Sequence, residues 1–198
     1  RRVLVTGDTG FKGSWLALWL GELGAEVHGL ALPPPPGPSH FVAARLAERY
    51  AHRDGDIRDP EVVRASFEAA KPEVVFHLAA QALVRDAYAD PKATFDTNVG
   101  GTVNVLEAVR GCPDVRAVVV VTSDKCYENR EWDFAYREND ALGGRDPYAA
   151  SKAAAEMAVM AWRASYFLAA SPPVGLAAAR AGNVIGGGDW AKDRLIPD

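Results

Sequence analysis

The chain has 198 residues, 48% of them hydrophobic and 24% charged, a balance that suits a globular domain and excludes wholesale disorder. The net charge of −4 argues against a nucleic-acid surface, which is normally basic, and no apolar run approaches the roughly 20 residues that span a bilayer. Cys112 and Cys126 cannot build a disulfide framework, the four histidines lack zinc-ligand spacing, and Arg1-Arg2 leads straight into Val3 without an apolar leader, so a soluble, cytoplasmic, metal-free protein is expected.

Short β-branched runs alternate with longer helix-like segments. Residues 3–6 predict a first strand and 11–23 the helix after it. A second strand is expected over 26–30. A third, near 50–53, is weak by composition but in step with the alternation. A helix over 60–70 leads to a strand over 74–78, and a helix over 91–110 to a strand over 117–122. A last helix over 147–170 precedes a strand over 174–179. Prolines at helix starts sit where the missing N–H costs nothing. Repeated β-α-β units imply an α/β fold of Rossmann type, a doubly wound parallel sheet with helices on both faces and right-handed crossovers.

Three stretches break the rhythm. Residues 33–38 are proline-rich and read as a stiff surface loop. Residues 127–146 are long and polar around Trp132, Phe134 and Tyr136, and a loop of that length inside a domain is usually functional. Residues 181–198 contain Gly186-Gly187-Gly188 and neither a helix nor a strand pattern, so the chain reads as cut within something larger.

Gly7, Gly10 and Gly13 form a GxxGxxG turn that follows the first strand and opens the first helix through Phe11 and Lys12. Glycine there permits a tight turn, close backbone approach to a pyrophosphate, and packing of helix on sheet. The helix start adds free N–H groups and partial positive charge. A dinucleotide site follows from that placement. An acidic residue at the end of strand two would bind the adenosine ribose. Here strand two ends His28-Gly29-Leu30-Ala31-Leu32, so NAD against NADP stays open. Asp56-Ile57 either hold the adenine amino group and cover its ring, or Asp56 is a turn or capping residue.

Tyr148 and Lys152 stand one helical turn apart on one face. A phenol with pKa near ~10 is a poor base at neutral pH, and a neighbouring ammonium lowers that value. Ser123, Asp124 and Lys125 end strand five, at the carboxyl edge that borders ligands in open α/β sheets. Cys126 reads as a small packed residue. His77-Leu78-Ala79-Ala80-Gln81 ends strand four with small residues beside a cofactor. Asn98, within a helix, reads as a structural hydrogen-bonder.

Taken together, the turn, His77 to Gln81, Thr97 to Thr102, Thr122 to Tyr127, Tyr148 to Lys152 and Arg180 to Gly188 resemble the extended short-chain dehydrogenases that act on nucleotide sugars. The resemblance covers essentially the whole chain. Within the group it is most similar to the CDP-glucose 4,6-dehydratases. The residues that carry this are Gly10 to Leu20, Ser123-Asp124-Lys125, Tyr127 to Trp132, and Gly182 to Asp198. The dTDP-glucose relatives carry Thr-Asp-Glu where this chain has Ser123-Asp124-Lys125.

The resemblance implies bound NAD and an internal redox elimination yielding a 4-keto-6-deoxy sugar nucleotide, the cofactor ending as it began. Tyr148 would be the base at the sugar C4 hydroxyl, Lys152 would lower its pKa, and Ser123 would hold the same oxygen. Lys125 would take the C5 proton and Asp124 protonate the departing C6 hydroxyl, roles that call for burial of both. Leu78, Ala79, Ala80 and Thr97 would line the cofactor and Val184 the nicotinamide. Asn183 would face the substrate phosphates, with Gln81 and Arg194 as further substrate contacts. Residues 1–180 would form the dinucleotide domain, and 181–198 the start of a sugar-nucleotide segment. Helices 91–110 and 147–170 would pair two copies through a four-helix bundle. Two other readings remain: a sugar-nucleotide 4-epimerase, which needs no Asp124-Lys125 pair, and an inert dinucleotide sensor, which has no use for Tyr148, Lys152 and Ser123.

Overall fold

The computed structural model describes residues 1–34 and 36–193. Its strands are β1 (Arg2–Thr6), β2 (Glu26–Ala31), β3 (Ala51–Asp54), β4 (Val74–His77), β5 (Ala117–Val121) and β6 (Gly175–Ala179). All neighbours pair in parallel, in the order β3-β2-β1-β4-β5-β6. The order reverses between β1 and β4, and ligands of such sheets bind outside the carboxyl ends at that reversal.

Along β1 successive side chains face opposite ways. Leu4 joins Leu30, Val75, Val105, Leu106 and Val118 on one face, while Val3 and Val5 pack with Ala17 and Val27 on the other. Both faces are covered, which is why β1 reads as an unbroken apolar run.

The helices are α1 (Phe11–Glu22), α2 (His40–Ala43), α3 (Pro60–Ala70), α4 (Val84–Ala89), α5 (Pro91–Phe95), α6 (Thr102–Arg110) and α7 (Pro147–Trp162). Asp59, Asp90 and Asp146 cap α3, α5 and α7 through their carboxylates, each followed by proline at the first helical position. The Asp-Pro pair therefore sets these starts twice over, by satisfying orphan N–H groups and by fixing φ.

The expected helix over 91–110 is α5 and α6 joined by a π turn, Asp96–Gly101. Gly101 there leaves room for Ile57, whose Cδ1 would lie 2.4 Å from an added Cβ. The helix expected over 147–170 closes earlier, in a second π turn at Arg163–Phe167. The short α2 and α4, and a 3₁₀ turn at Leu46–Glu48, fall where the sequence shows no helical period. Ser39 caps α2 by accepting from the Val42 N–H. Among the described residues no helix is long and apolar enough to cross a membrane.

Candidate active site

The β1–α1 turn is shaped by what its glycines leave out. Gly7 has φ of +78°, and a Cβ there would lie 2.6 Å from the Ala79 nitrogen, so the turn and the end of β4 nearly touch. A Cβ on Gly13 would sit 2.0 Å from the Gly7 oxygen. Gly10 differs: it is exposed, and an added Cβ would meet only the Gly7 oxygen at 3.3 Å. Its bare face opens outward, in front of a helix with no side-chain cap and no acid in its first turn. Uncapped N–H groups beside open space fit a dinucleotide pyrophosphate.

Asp8 turns away from that opening. Its carboxylate is buried against Gly29, and Oδ2 accepts from His52 Nδ1 at 2.7 Å and the Tyr50 hydroxyl at 3.2 Å. It ties the turn to β3 rather than replacing the ribose acid missing from β2. Asp8 holds the His52 pKa above its usual value.

Behind the turn, His77 is buried between two threonines. Thr102 donates its hydroxyl to the Asn98 carbonyl, so it accepts from His77 Nε2 at 3.0 Å. Thr6, which also accepts from the Ala79 N–H, then donates to Nδ1 at 2.7 Å. The imidazole is accordingly neutral. Burial first, and then the Lys152 charge, push its pKa down to about 3. Asn98 bonds Ser151 Oγ at 2.8 Å and both backbone groups of Gln81, the structural role its helix position suggested.

At the other corner Asp146 and Pro147 start α7, so Tyr148 falls in its first turn and Lys152 one turn later, both buried. Lys152 Nζ donates to the Val121 carbonyl at 3.4 Å. Burial and then the Lys12 charge bring its pKa to about 8. Ser123 is buried beside α7, where its hydroxyl donates to Asp124 Oδ1 at 3.1 Å and accepts from the Lys125 N–H. Asp124 and Lys125 themselves are exposed. Cys126 packs as a buried residue, and burial raises its thiol pKa to about 11.

The other expected residues are spread along the same edge. Leu78, Ala79, Ala80 and Thr97 are half-buried around the end of β4 and the first π turn. The Asp56 carboxylate accepts from the Arg58 backbone and guanidinium, and Ile57 is buried in the core. The Gln81 amide is engaged with Leu83 and Thr94. Asn183 and Val184 are exposed on the segment after β6. That segment crosses back to α1, where Gly187 accepts from Trp15 Nε1 at 2.8 Å, and to α4 through the Asp193–Arg85 and Lys192–Asp86 pairs. Arg194 lies outside the described residues. Among those residues no group of three or more His, Cys, Asp and Glu could hold a metal ion.

Sequence reasoning passed over one buried carboxylate, Glu156. The signal for Glu156 was available: it follows Lys152 by four residues, on the same apolar face, where an acid requires a partner. Its partner is Arg180, one residue past β6, paired through two 3.0 Å bonds.

This arrangement has close counterparts. Residues 4–173 match the GDP-mannose 4,6 dehydratase family. The chain belongs to that family. It is 57% identical, over its whole length, to a Salmonella typhimurium protein described as CDP-glucose 4,6-dehydratase, of which it covers 56%. Two solved structures, UDP-glucose 4-epimerases from Thermus thermophilus and Brucella ovis, were both determined with NAD. The Thermus enzyme has a TM-score of 0.72 at 31% identity, over 84% of this chain and 52% of its own. The Brucella enzyme has a TM-score of 0.74 at 27% identity, over 91% of this chain and 50% of its own. The chain thus spans about half the length of the relatives it matches.

Proposed function

We propose that this chain is the cofactor-binding and catalytic half of an NAD-dependent nucleotide-sugar 4,6-dehydratase, acting on a nucleotide-activated glucose, with CDP-glucose first among them. The observation that carries this reading is the convergence of Ser123, Tyr148 and buried Lys152 on the edge that the uncapped turn also borders. The 57% identity to a protein described as CDP-glucose 4,6-dehydratase supports the choice of nucleotide.

The Gly7–Gly13 turn, Leu78 to Ala80, Thr97, Asp56 and Val184 are the residues for NAD, which when bound supplies an oxidant that the same cycle regenerates. Ser123 and Tyr148 hold the sugar C4 oxygen. Tyr148 removes its proton, and the Lys152 ammonium stabilises the phenolate. A ketone at C4 acidifies the C5 proton, which Lys125 takes while Asp124 protonates the leaving C6 hydroxyl. Both residues are exposed here, so their cover comes from substrate and from the remainder of a protein of the relatives' length. Residues 1–180 form the dinucleotide domain in this reading, with 181–193 leading into the substrate domain. Exposed Phe95, Met157 and Met160, on the helical stretches over 91–110 and 147–170, belong to the faces that pair two copies through a four-helix bundle. The cytoplasm, where NAD and sugar nucleotides are abundant, is its place of action.

Product analysis tests the reading, with protein of the relatives' full length and CDP-, dTDP-, GDP- and UDP-glucose. A 4-keto-6-deoxy product from CDP-glucose is expected. A C4 epimer, or no turnover with any of the four, overturns it. In deuterated water Lys125→Ala is expected to lose C5 exchange and the 6-deoxy product while still reducing bound NAD. Dehydration at the parent rate would remove Lys125 from the proton transfer.

A further inference from the structure

Tyr148, Lys152 and Glu156 stand at i, i+4 and i+8, one stripe along α7. Glu156 is only 2% exposed, and a buried carboxylate is retained only with full partnering. It accepts from the Thr122 hydroxyl and, in a two-pronged pair, from Arg180 Nε and Nη2, each at 3.0 Å. Arg180 also donates Nη1 to the Glu138 carbonyl at 3.1 Å and lies 4.6 Å over the Tyr127 ring. One carboxylate therefore joins α7 to the residue before Ser123, to the end of β6, and through Arg180 to the loop over 127–146.

We propose that Glu156 and Arg180 are a positioning pair for the catalytic stripe, seating Tyr148 and Lys152 against Ser123 and keeping Lys152 an ammonium. The proposal rests on the dehydratase reading for its kinetic consequence, but not for its electrostatic one. Lys152 is faced by Lys12 from α1, neutral His77 from β4, Cys126 after β5, and Tyr148 and Glu156 on its own helix, with Arg180 behind Glu156. Burial first and then Lys12 oppose its charge, and Cys126 and then Glu156 support it. Removing the Glu156 charge takes away part of that support, and so weakens the cation that makes Tyr148 a base.

The first test needs no substrate. The Lys152 ¹³Cε signal is titrated in this chain and in Glu156→Gln, which keeps volume and hydrogen bonding. The midpoint is expected to fall by about half a pH unit or more. An unchanged midpoint overturns the electrostatic role. The second test compares pH profiles at the relatives' full length. The fold-loss of kcat in Glu156→Gln is expected to be small near pH 6, where both proteins keep the ammonium, and to grow as the variant's Lys152 deprotonates ahead of the wild type's. A loss equal at every pH overturns the proposal. Should that variant fail to fold, Arg180→Lys keeps the charge and loses the fork. It is expected to lower kcat about tenfold with KM nearly unchanged, and an unchanged kcat overturns the seating role. If wild type yields no dehydrated product, the functional reading falls while the ¹³C titration still decides the pair.

Discussion

At the β1–α1 turn the chain clears side chains away, whereas at the β5–α7 corner it crowds polar side chains together. Gly7 and Gly13 are glycine because the protein's own backbone occupies the space a Cβ would need, and Gly10 because the space in front of it is left open. Opposite, Thr122, Ser123, Ser151, Lys152 and Glu156 are all buried, and each has a hydrogen-bond partner. A site made of backbone tolerates side-chain change nearby but no added atom. A site made of buried polar groups tolerates shape-preserving change but not a lost partner. The two halves should therefore fail differently.

The largest expected effect separates the glycines. Gly13→Ala places a methyl group 2.0 Å from the Gly7 oxygen, and backbone rather than a flexible side chain must then move. We expect a loss of about 3 kcal/mol or more, read as a drop in Tm of about 10 °C. Gly10→Val should keep its Tm within a few degrees and lose NAD affinity at least tenfold, because the added carbons fill the open face. Equal thermal damage from both substitutions would show that Gly10 serves the fold, and unchanged NAD affinity in a folded Gly10→Val protein would place the cofactor elsewhere.

Legibility in the sequence follows the same division. Glycine spacing after an apolar strand reveals the turn because each glycine answers a local steric need. Strands β1, β4 and β5 are equally plain, since two covered faces demand Val, Leu or Phe, whereas β3 has none of these and shows only through the alternation. Tyr148 and Lys152 are readable because their partnership is local, within one helical turn. The Glu156–Arg180 pair joins residues 24 apart in sequence, and Asp8–His52 residues 44 apart, so only the assembled sheet brings them together. The π turn at 96–101 escapes for a related reason. It accommodates Asn98 bonding to Gln81 and Ser151, contacts that no helical period encodes. The burial expected of Asp124 and Lys125 came from their assigned chemistry, and no local pattern required it.

A pH series sharpens the comparison at an intermediate scale, because two histidines along this edge are shifted in opposite directions. His77, at the end of β4 between the two halves, has a folded pKa of about 3, below its unfolded 6.5. Its contribution is complete above about 6.5 and is lost as pH falls towards 3. Between pH 7 and pH 5 we expect about 1.5 kcal/mol less stability, measured by urea unfolding. His52, behind the turn, has a raised pKa through Asp8, so its contribution is present below 6.5 and fades as pH rises through the folded value. His77→Gln should flatten the acid side of the curve, and His52→Gln should cost more at pH 6 than at pH 8. The reverse pattern would mean that His77 carries a proton in the folded chain.

The smallest expected effect concerns the adenosine end, where a side chain rather than the backbone is assigned to the cofactor. Asp56 Oδ1 accepts from the Arg58 N–H at 2.9 Å, and Oδ2 accepts from Arg58 Nε at 2.9 Å and Nη2 at 2.6 Å. The guanidinium beside it holds the carboxyl below its usual range, so it remains a full acceptor at neutral pH. A carboxylate has about four acceptor positions, and Oδ1 retains one after the Arg58 bonds are counted. An adenine amino group can therefore be received without breaking the turn. For the fold the pair matters little, since half-exposed ion pairs contribute about 0–1 kcal/mol. Asp56→Ala should accordingly lower stability by less than about 1 kcal/mol while weakening NAD about three- to tenfold, the worth of one ordinary hydrogen bond. Calorimetric titration with NAD and with nicotinamide mononucleotide makes the test specific, because the mononucleotide has no adenine and its binding should not change. If both ligands weaken equally, Asp56 acts only through the turn it closes with Arg58, and the adenine is held by other residues on this edge.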